Sequence, residues 1–83
     1  MTLYTMMEKL VDNEIFAAPF DEDTITLFKY NSKETKDYLP GMVAIGTVRY
    51  DYIDNYTSHP EIDLENDTLT DADKALLKEV FNL

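Results

Sequence analysis

Four carboxylates fall on alternate positions in the stretch PEIDLENDTLT: Glu61, Asp63, Glu65 and Asp67, separated by Ile62, Leu64 and Asn66. Carboxylates this dense can hold a hard cation, share protons in acid–base catalysis, or pair with Arg and Lys of a partner. The cation reading fails on spacing. DLENDTLTDADK, from residue 63, has acids at the first, third and fifth places of a calcium loop. Its sixth place is Thr68, where the sharp turn needs glycine, and its twelfth is Lys74, where a bidentate Glu is required. No metal site and no cofactor are expected. Acid–base catalysis finds no support either. Nothing in the pattern singles out one carboxyl set apart in a cleft, and a domain this small has little room for a deep one.

His59 is the sole histidine, and the chain has no cysteine. A histidine-based metal site and a cysteine nucleophile are therefore excluded. Ser58 and His59 are neighbours in sequence, and neighbouring side chains of an extended segment point apart. Pro60 favours extended backbone at His59. An exposed loop histidine is expected, not part of a triad. The two glycines, Gly41 and Gly46, are too few and too separated for a phosphate-binding loop. The chain is not expected to be an enzyme.

The third chemistry remains. In a strand, side chains two positions apart lie roughly 6.6 Å apart on one face. The four acids would then form a row of negative charge, anchored by Ile62 and Leu64 on the other face. Such a row costs stability through repulsion. A charged edge strand accounts for some of it, because charge discourages edge-to-edge aggregation. The row follows a segment in which Asp51 and Asp54 alternate with Tyr50, Tyr52 and Tyr56. Tyrosines beside carboxylates make a surface that can both pack and hydrogen-bond.

The whole chain leans the same way. It has 83 residues, 17 acids against 7 bases, and a formal net charge of -10. Residues 1–50 hold 8 acids and 5 bases, whereas residues 51–83 hold 9 acids and 2 bases. Direct binding to nucleic acid needs clustered Lys and Arg and is not expected, nor is binding to an anionic membrane surface. A basic partner is the electrostatic complement. Hydrophobic residues make up 45% of the chain, so it should fold, as one domain over residues 1–83. The acidic N-terminus does not read as a signal peptide, and no apolar run is long enough to span a membrane. With no cysteine, a cytoplasmic protein is expected, in the host cell if a phage encodes it.

The elements that must carry these residues can be read from periodicity. Leu3, Met6, Met7, Leu10 and Val11 form a helical stripe, which predicts a helix over 2–12 running on to Ala18 and stopped by Pro19. Thr2 or Thr5 would cap it, Thr5 with Glu8 as a capping box. DED at 21–23 reads as an acidic turn, TITLFKY at 24–30 as a strand, and KETKDYL at 33–39 as a short helix ending at Pro40-Gly41. MVAIGTVRYDYI at 42–53 is a strand with Met42, Ala44, Val48, Tyr50 and Tyr52 on one face. Gly46 marks a bulge or a close backbone approach. Residues 71–81 are a helix capped by Thr70, with Asp71 and Asp73 at its positive end. Ala72, Leu76, Val80 and Phe81 would face the core. The fold expected is α+β: a small antiparallel sheet of about three strands with an N-terminal and a C-terminal helix.

A regular array of carboxylates on a small scaffold is similar to the phosphates of a nucleic-acid strand. In size, charge and surface style the chain resembles the small acidic antagonists of phages and mobile elements: uracil-DNA glycosylase inhibitors, anti-restriction proteins and anti-CRISPR proteins. The resemblance spans the whole chain and rests on no family motif, so it carries over no residue roles. It implies a non-enzymatic inhibitor that sits in the basic groove of a nucleic-acid-binding protein. Its contacts would be Asp51, Asp54, Glu61, Asp63, Glu65 and Asp67, with Tyr50, Tyr52 and Tyr56 as aromatic anchors. The alternative is a small structural or regulatory subunit, monomeric or homodimeric, that uses the apolar helix face of Leu3, Met6, Met7 and Leu10.

Overall fold

The computed structural model describes residues 1–19, 21–31 and 41–83. Their order is α1 (Leu3–Leu10), a 3-10 turn (Val11–Asn13), β1 (Ile15–Pro19), β2 (Thr24–Tyr30), β3 (Met42–Asp51), β4 (Tyr56–Ile62) and α2 (Asp71–Phe81). The strands form an antiparallel meander in the order β1-β2-β3-β4. The fold is α+β as expected, with four strands where about three were foreseen. The helix expected at 33–39 lies outside the described residues.

The extra strand comes from the segment read as the end of the first helix. Thr2 caps α1, its hydroxyl accepting from the Thr5 N–H. After Leu10 the helix tightens into the 3-10 turn, and Glu14 takes a left-handed conformation at φ 57°. That residue reverses the chain, and Ile15–Pro19 pairs with β2 instead of continuing the helix. Ile15 and Phe16, β-branched and aromatic, suit a strand. Pro19 therefore ends a strand, not a helix.

Both helices pack on one face of the sheet. Met6 and Leu10 of α1 and Leu77 and Val80 of α2 meet Ile15, Ile25, Leu27, Ile45, Val48 and Leu69. On the other face Phe28, also buried, lies across from Phe16 and Ala44. β3 does not keep one alternation along its length. Leu27 opposes Gly46 and Phe28 opposes Ala44, so Ile45 is an extra residue in the ladder. This bulge resets the pleat. Met42 and Ala44 face away from the helices, whereas Val48 and Tyr50 face them, so the five residues expected on one side are divided. Gly46 lies where β4 crosses closely: an added Cβ would meet the Glu61 carbonyl oxygen and sit 2.9 Å from the Ile62 Cα. The close approach is made by a neighbouring strand.

α2 starts at the foreseen Thr70 cap, and Asp73, read only as an acid at the positive end, completes a capping box with it. Of the expected inward residues Val80 is buried and Leu76 and Phe81 pack half buried against the core. Leu77 is also buried, Ala72 is exposed, and Asp73 is among the most buried residues at 2% exposure. The burial of Asp73 is compensated electrostatically. Asp73 Oδ2 lies 3.1 Å from Lys29 Nζ, and its Oδ1 accepts from the Asn13 amide at 3.0 Å. Its Oδ2 also accepts from the Thr70 N–H. Lys29 Nζ donates to the Asn13 carbonyl at 2.6 Å. One carboxylate thus ties α2 to β2 and to the turn that ends α1.

Candidate protein-binding surface

The meander decides which acids meet. The β1–β2 turn and the β3–β4 turn lie at the same end of the sheet, because two antiparallel reversals separate them. The Tyr50 N–H donates to the Asp23 carbonyl at 2.7 Å, which joins the two turns directly. Asp21, Glu22 and Asp23 therefore stand at the same end as Asp51 and Asp54. Glu22, Asp23, Asp51 and Tyr52 line one open groove of about 510 Å³, together with Arg49, Ser58 and His59.

The β3–β4 turn is built by its own polar groups. Asp51 Oδ1 accepts from the Ile53 N–H at 3.0 Å and from the Asp54 N–H at 3.3 Å. Asn55 supplies the left-handed residue at φ 55°. The Tyr50 hydroxyl donates to Asn55 Oδ1, and the Leu3 N–H donates to the Asn55 carbonyl. The turn holds Tyr52 and Ile53 in solvent at 72% and 81% exposure. Tyr56 is half exposed, whereas Tyr50 is half buried against the core.

The other expected site residues lie elsewhere. β4 spans about 20 Å, with Asp51, Asp54, Tyr52 and Tyr56 at its start and the second acidic group at its far end. Only Glu61 of that group is in the strand, paired with Thr47. Asp63, Glu65 and Asp67 follow in a run of turns, so the straight row drawn from a strand period is not formed. The alternation survives in burial: all four acids are exposed, and Ile62, Leu64, Asn66 and Thr68 are half buried. Asp63 Oδ1 accepts from the Glu65 N–H, and Asn66 Oδ1 accepts from the Thr68 N–H. These side chains fix the connection with hydrogen bonds that mimic backbone turns.

Among the described residues, charge compensation on the surface is sparse. Arg49 Nη2 lies 3.1 Å from Asp23 Oδ2. That guanidinium, and then the Thr24 hydroxyl, hold the Asp23 carboxyl below the usual carboxylate range. Both partners are exposed, so the pair contributes little to folding. Among the described residues no three His, Cys, Asp or Glu side chains converge to hold a metal. No helix among them is long and apolar enough to cross a membrane.

His59 departs from its expected geometry. It sits in β4 at φ 51°, where His59 and Pro60 together oppose Val48. This bulge turns the ring back, and Nδ1 lies 3.0 Å from Ser58 Oγ. The two side chains touch, although an extended strand would separate them. Among the described residues no hydrogen bond joins the ring to a carboxylate, the third member a triad requires.

Sequence reasoning placed Asp51, Asp54 and Tyr52 at a surface, but it did not join them to Asp21, Glu22 and Asp23. The acidic turn was visible; its neighbour was not, because that depends on strand order. Ile53 was read as the end of a strand and stands at a turn. Comparison with protein-family models, curated proteins and solved structures finds no match.

Proposed function

We propose that this protein is a non-enzymatic inhibitor that binds the basic groove of a nucleic-acid-binding protein. The observation that supports this most is the gathering of Asp21, Glu22, Asp23, Asp51 and Asp54 at one end of the sheet, beside the exposed Tyr52 and Ile53. Two turns distant in sequence deliver these carboxylates, and among the groove's described lining residues Arg49 is the one Lys or Arg. A groove evolved for phosphates presents Arg and Lys in forked geometry, and carboxylates satisfy the same donors. Tyr52 and Ile53 supply the apolar contact that carries most interface energy. Glu61, Asp63, Glu65 and Asp67 form a second acidic patch that extends the contact along the partner's phosphate track. The resemblance to small acidic antagonists of phages and mobile elements agrees with this reading, with a cytoplasmic target.

Tagged protein incubated with nuclease-treated bacterial lysate is expected to retain a DNA- or RNA-binding protein that elutes with salt or with added oligonucleotide. The Glu22→Gln, Asp54→Asn double variant removes two charges and keeps the fold, since neither side chain accepts a hydrogen bond among the described residues. It should weaken capture roughly tenfold, about 1.4 kcal/mol. Unchanged capture by this variant would rule out the acidic end as the contact. Unchanged capture by Asp63→Asn, Glu65→Gln would remove the second patch.

A further inference from the structure

We propose that His59 makes the acidic end pH-sensitive: when its imidazole takes up a proton, this protein loosens its hold on a basic partner. The inference rests on the reading of that end as the contact for a basic groove, and it adds how the contact is regulated.

The backbone puts this histidine in the groove. Tyr50 and Thr57 are paired across β3 and β4, and both lie on the helix side: Thr57 is buried and Tyr50 packs against the core. A regular pleat would send His59, two positions after Thr57, to that same side. Arg49 and Ser58 are paired on the opposite side. The left-handed conformation of His59 breaks the pleat, and the ring ends beside Ser58 in the groove that Arg49 lines. Few residues other than glycine hold such a conformation, and those that do cluster at functional sites.

The groove's other groups give the placement its effect. Glu22 and Asp23 reach it from the β1–β2 turn, Arg49 and Asp51 from β3, with Tyr50 and Tyr52 beside them. Glu61, also exposed, lies two positions further along β4. Three carboxylates and one guanidinium give the lining a net charge of -2 while the ring is neutral, and -1 once it is protonated. Carboxylates ordinarily titrate near pH 4 and tyrosines near pH 10. Arg49, and then the Thr24 hydroxyl, hold Asp23 lower than that. Histidine is the one side chain whose ordinary charge change falls between pH 5 and 8. Between about pH 7.5 and about pH 5.5, one proton therefore halves the groove's net charge.

Ser58 keeps the ring in place through the change. Nδ1 lies 3.0 Å from Ser58 Oγ. A hydroxyl donates to a bare ring nitrogen and accepts from a protonated one, so the contact survives in both states. The ring is exposed and exchanges its proton directly with water. The device is a change of charge without a change of shape. Exposure also limits its size, because water and salt screen the added charge. Linkage requires the converse: a bound cationic partner expels the proton.

Isothermal titration calorimetry of the full chain with nona-arginine, at fixed low ionic strength and at about pH 7.5 and about pH 5.5, tests this, with amide shifts by NMR locating the peptide. The expected result is peptide in the groove, held roughly three- to tenfold more weakly at the lower pH. His59→Asn should bind equally at both, because asparagine accepts the left-handed backbone and carries no charge. Near pH 6.5, buffers of different ionisation enthalpy should reveal proton release when the parent binds, and far less from the variant. Circular dichroism melts establish that the variant is folded, and His59→Gly substitutes if it is not. Peptide in the groove with equal affinity at both pH values overturns the proposal. So does a folded variant that keeps the parent's pH dependence. Either result leaves the acidic end standing as the contact. Peptide that binds outside the groove, or not at all, at the higher pH removes the acidic end itself and the proposal with it.

Discussion

Asp73→Ala is expected to cost about 3–5 kcal/mol, the usual effect of removing one partner from a buried ion pair. A domain of this size has roughly 4–12 kcal/mol of stability in total, so the variant should be largely unfolded or close to it. Lys29 loses its counter-ion at 14% side-chain exposure, Asn13 loses its acceptor, and α2 loses half of its capping box. Lys29→Met leaves Asp73 with its Asn13 and Thr70 hydrogen bonds and should cost less. Urea unfolding followed by circular dichroism measures both. An Asp73→Ala midpoint equal to that of the parent would contradict the role given to this carboxylate. Its titration makes a second check. Burial alone would raise the Asp73 carboxyl, but the Thr70 N–H, the Asn13 amide and the Lys29 ammonium outweigh it and hold the group below its ordinary value. A carboxyl depressed in the folded state contributes stability that is complete above its unfolded pKa, about 3.9. That contribution is lost as pH falls through the depressed folded value. The parent should lose stability below about pH 4 more steeply than Asp73→Asn does.

Gly46→Ala should destabilise by about 1–3 kcal/mol or more, as overpacking against backbone does. The added Cβ would meet the Glu61 carbonyl and would sit 2.9 Å from the Ile62 Cα, and neither is the end of a flexible chain. β4 would have to withdraw from β3 at Glu61–Ile62, where the strand gives way to the second acidic patch. Thermal unfolding and amide exchange at Thr47, Glu61 and Ile62 report the two effects. A variant as stable as the parent, with unchanged exchange there, would contradict the close approach.

The parts of this fold that are local chemistry were legible, and those set by distant contacts were not. α2 announced itself through Thr70 as its cap and Asp71 and Asp73 at its positive end, signals written in four adjacent residues. The end of α1 was hidden. MMEKLVDNEIFAA keeps a helical rhythm through Ala18, and the chain turns only because Glu14 adopts the left-handed region. Asn13 beside it is held by Asp73, sixty positions away. On the inward face of α2, Leu76, Val80 and Phe81 were placed correctly, but Ala72 was misplaced and Asp73 missed for the same reason. An acid on the inward side looks like an error until Lys29 is placed opposite it. The bulges at Ile45 and His59 shifted side chains across the sheet where strict alternation was assumed.

The candidate surface divides along the same line. That acids dominate residues 51–67 is composition, and burial keeps every one of Glu61, Asp63, Glu65 and Asp67 exposed. That Asp21–Asp23 join Asp51 and Asp54 follows only from the meander. The straight row at 61–67 failed because Asp63 and Asn66 side chains bond the backbone two residues on and curl it into turns.

Competition for the captured protein tests the central claim most directly. Once the target is isolated, labelled duplex DNA or single-stranded RNA is bound to it and this protein is titrated in, at several salt concentrations. The account predicts full displacement of the nucleic acid, with an affinity that falls steeply as salt rises and a shallower salt dependence for Glu22→Gln, Asp54→Asn. A ternary complex in which target, nucleic acid and this protein coexist, with no mutual weakening, would contradict occupation of the basic groove.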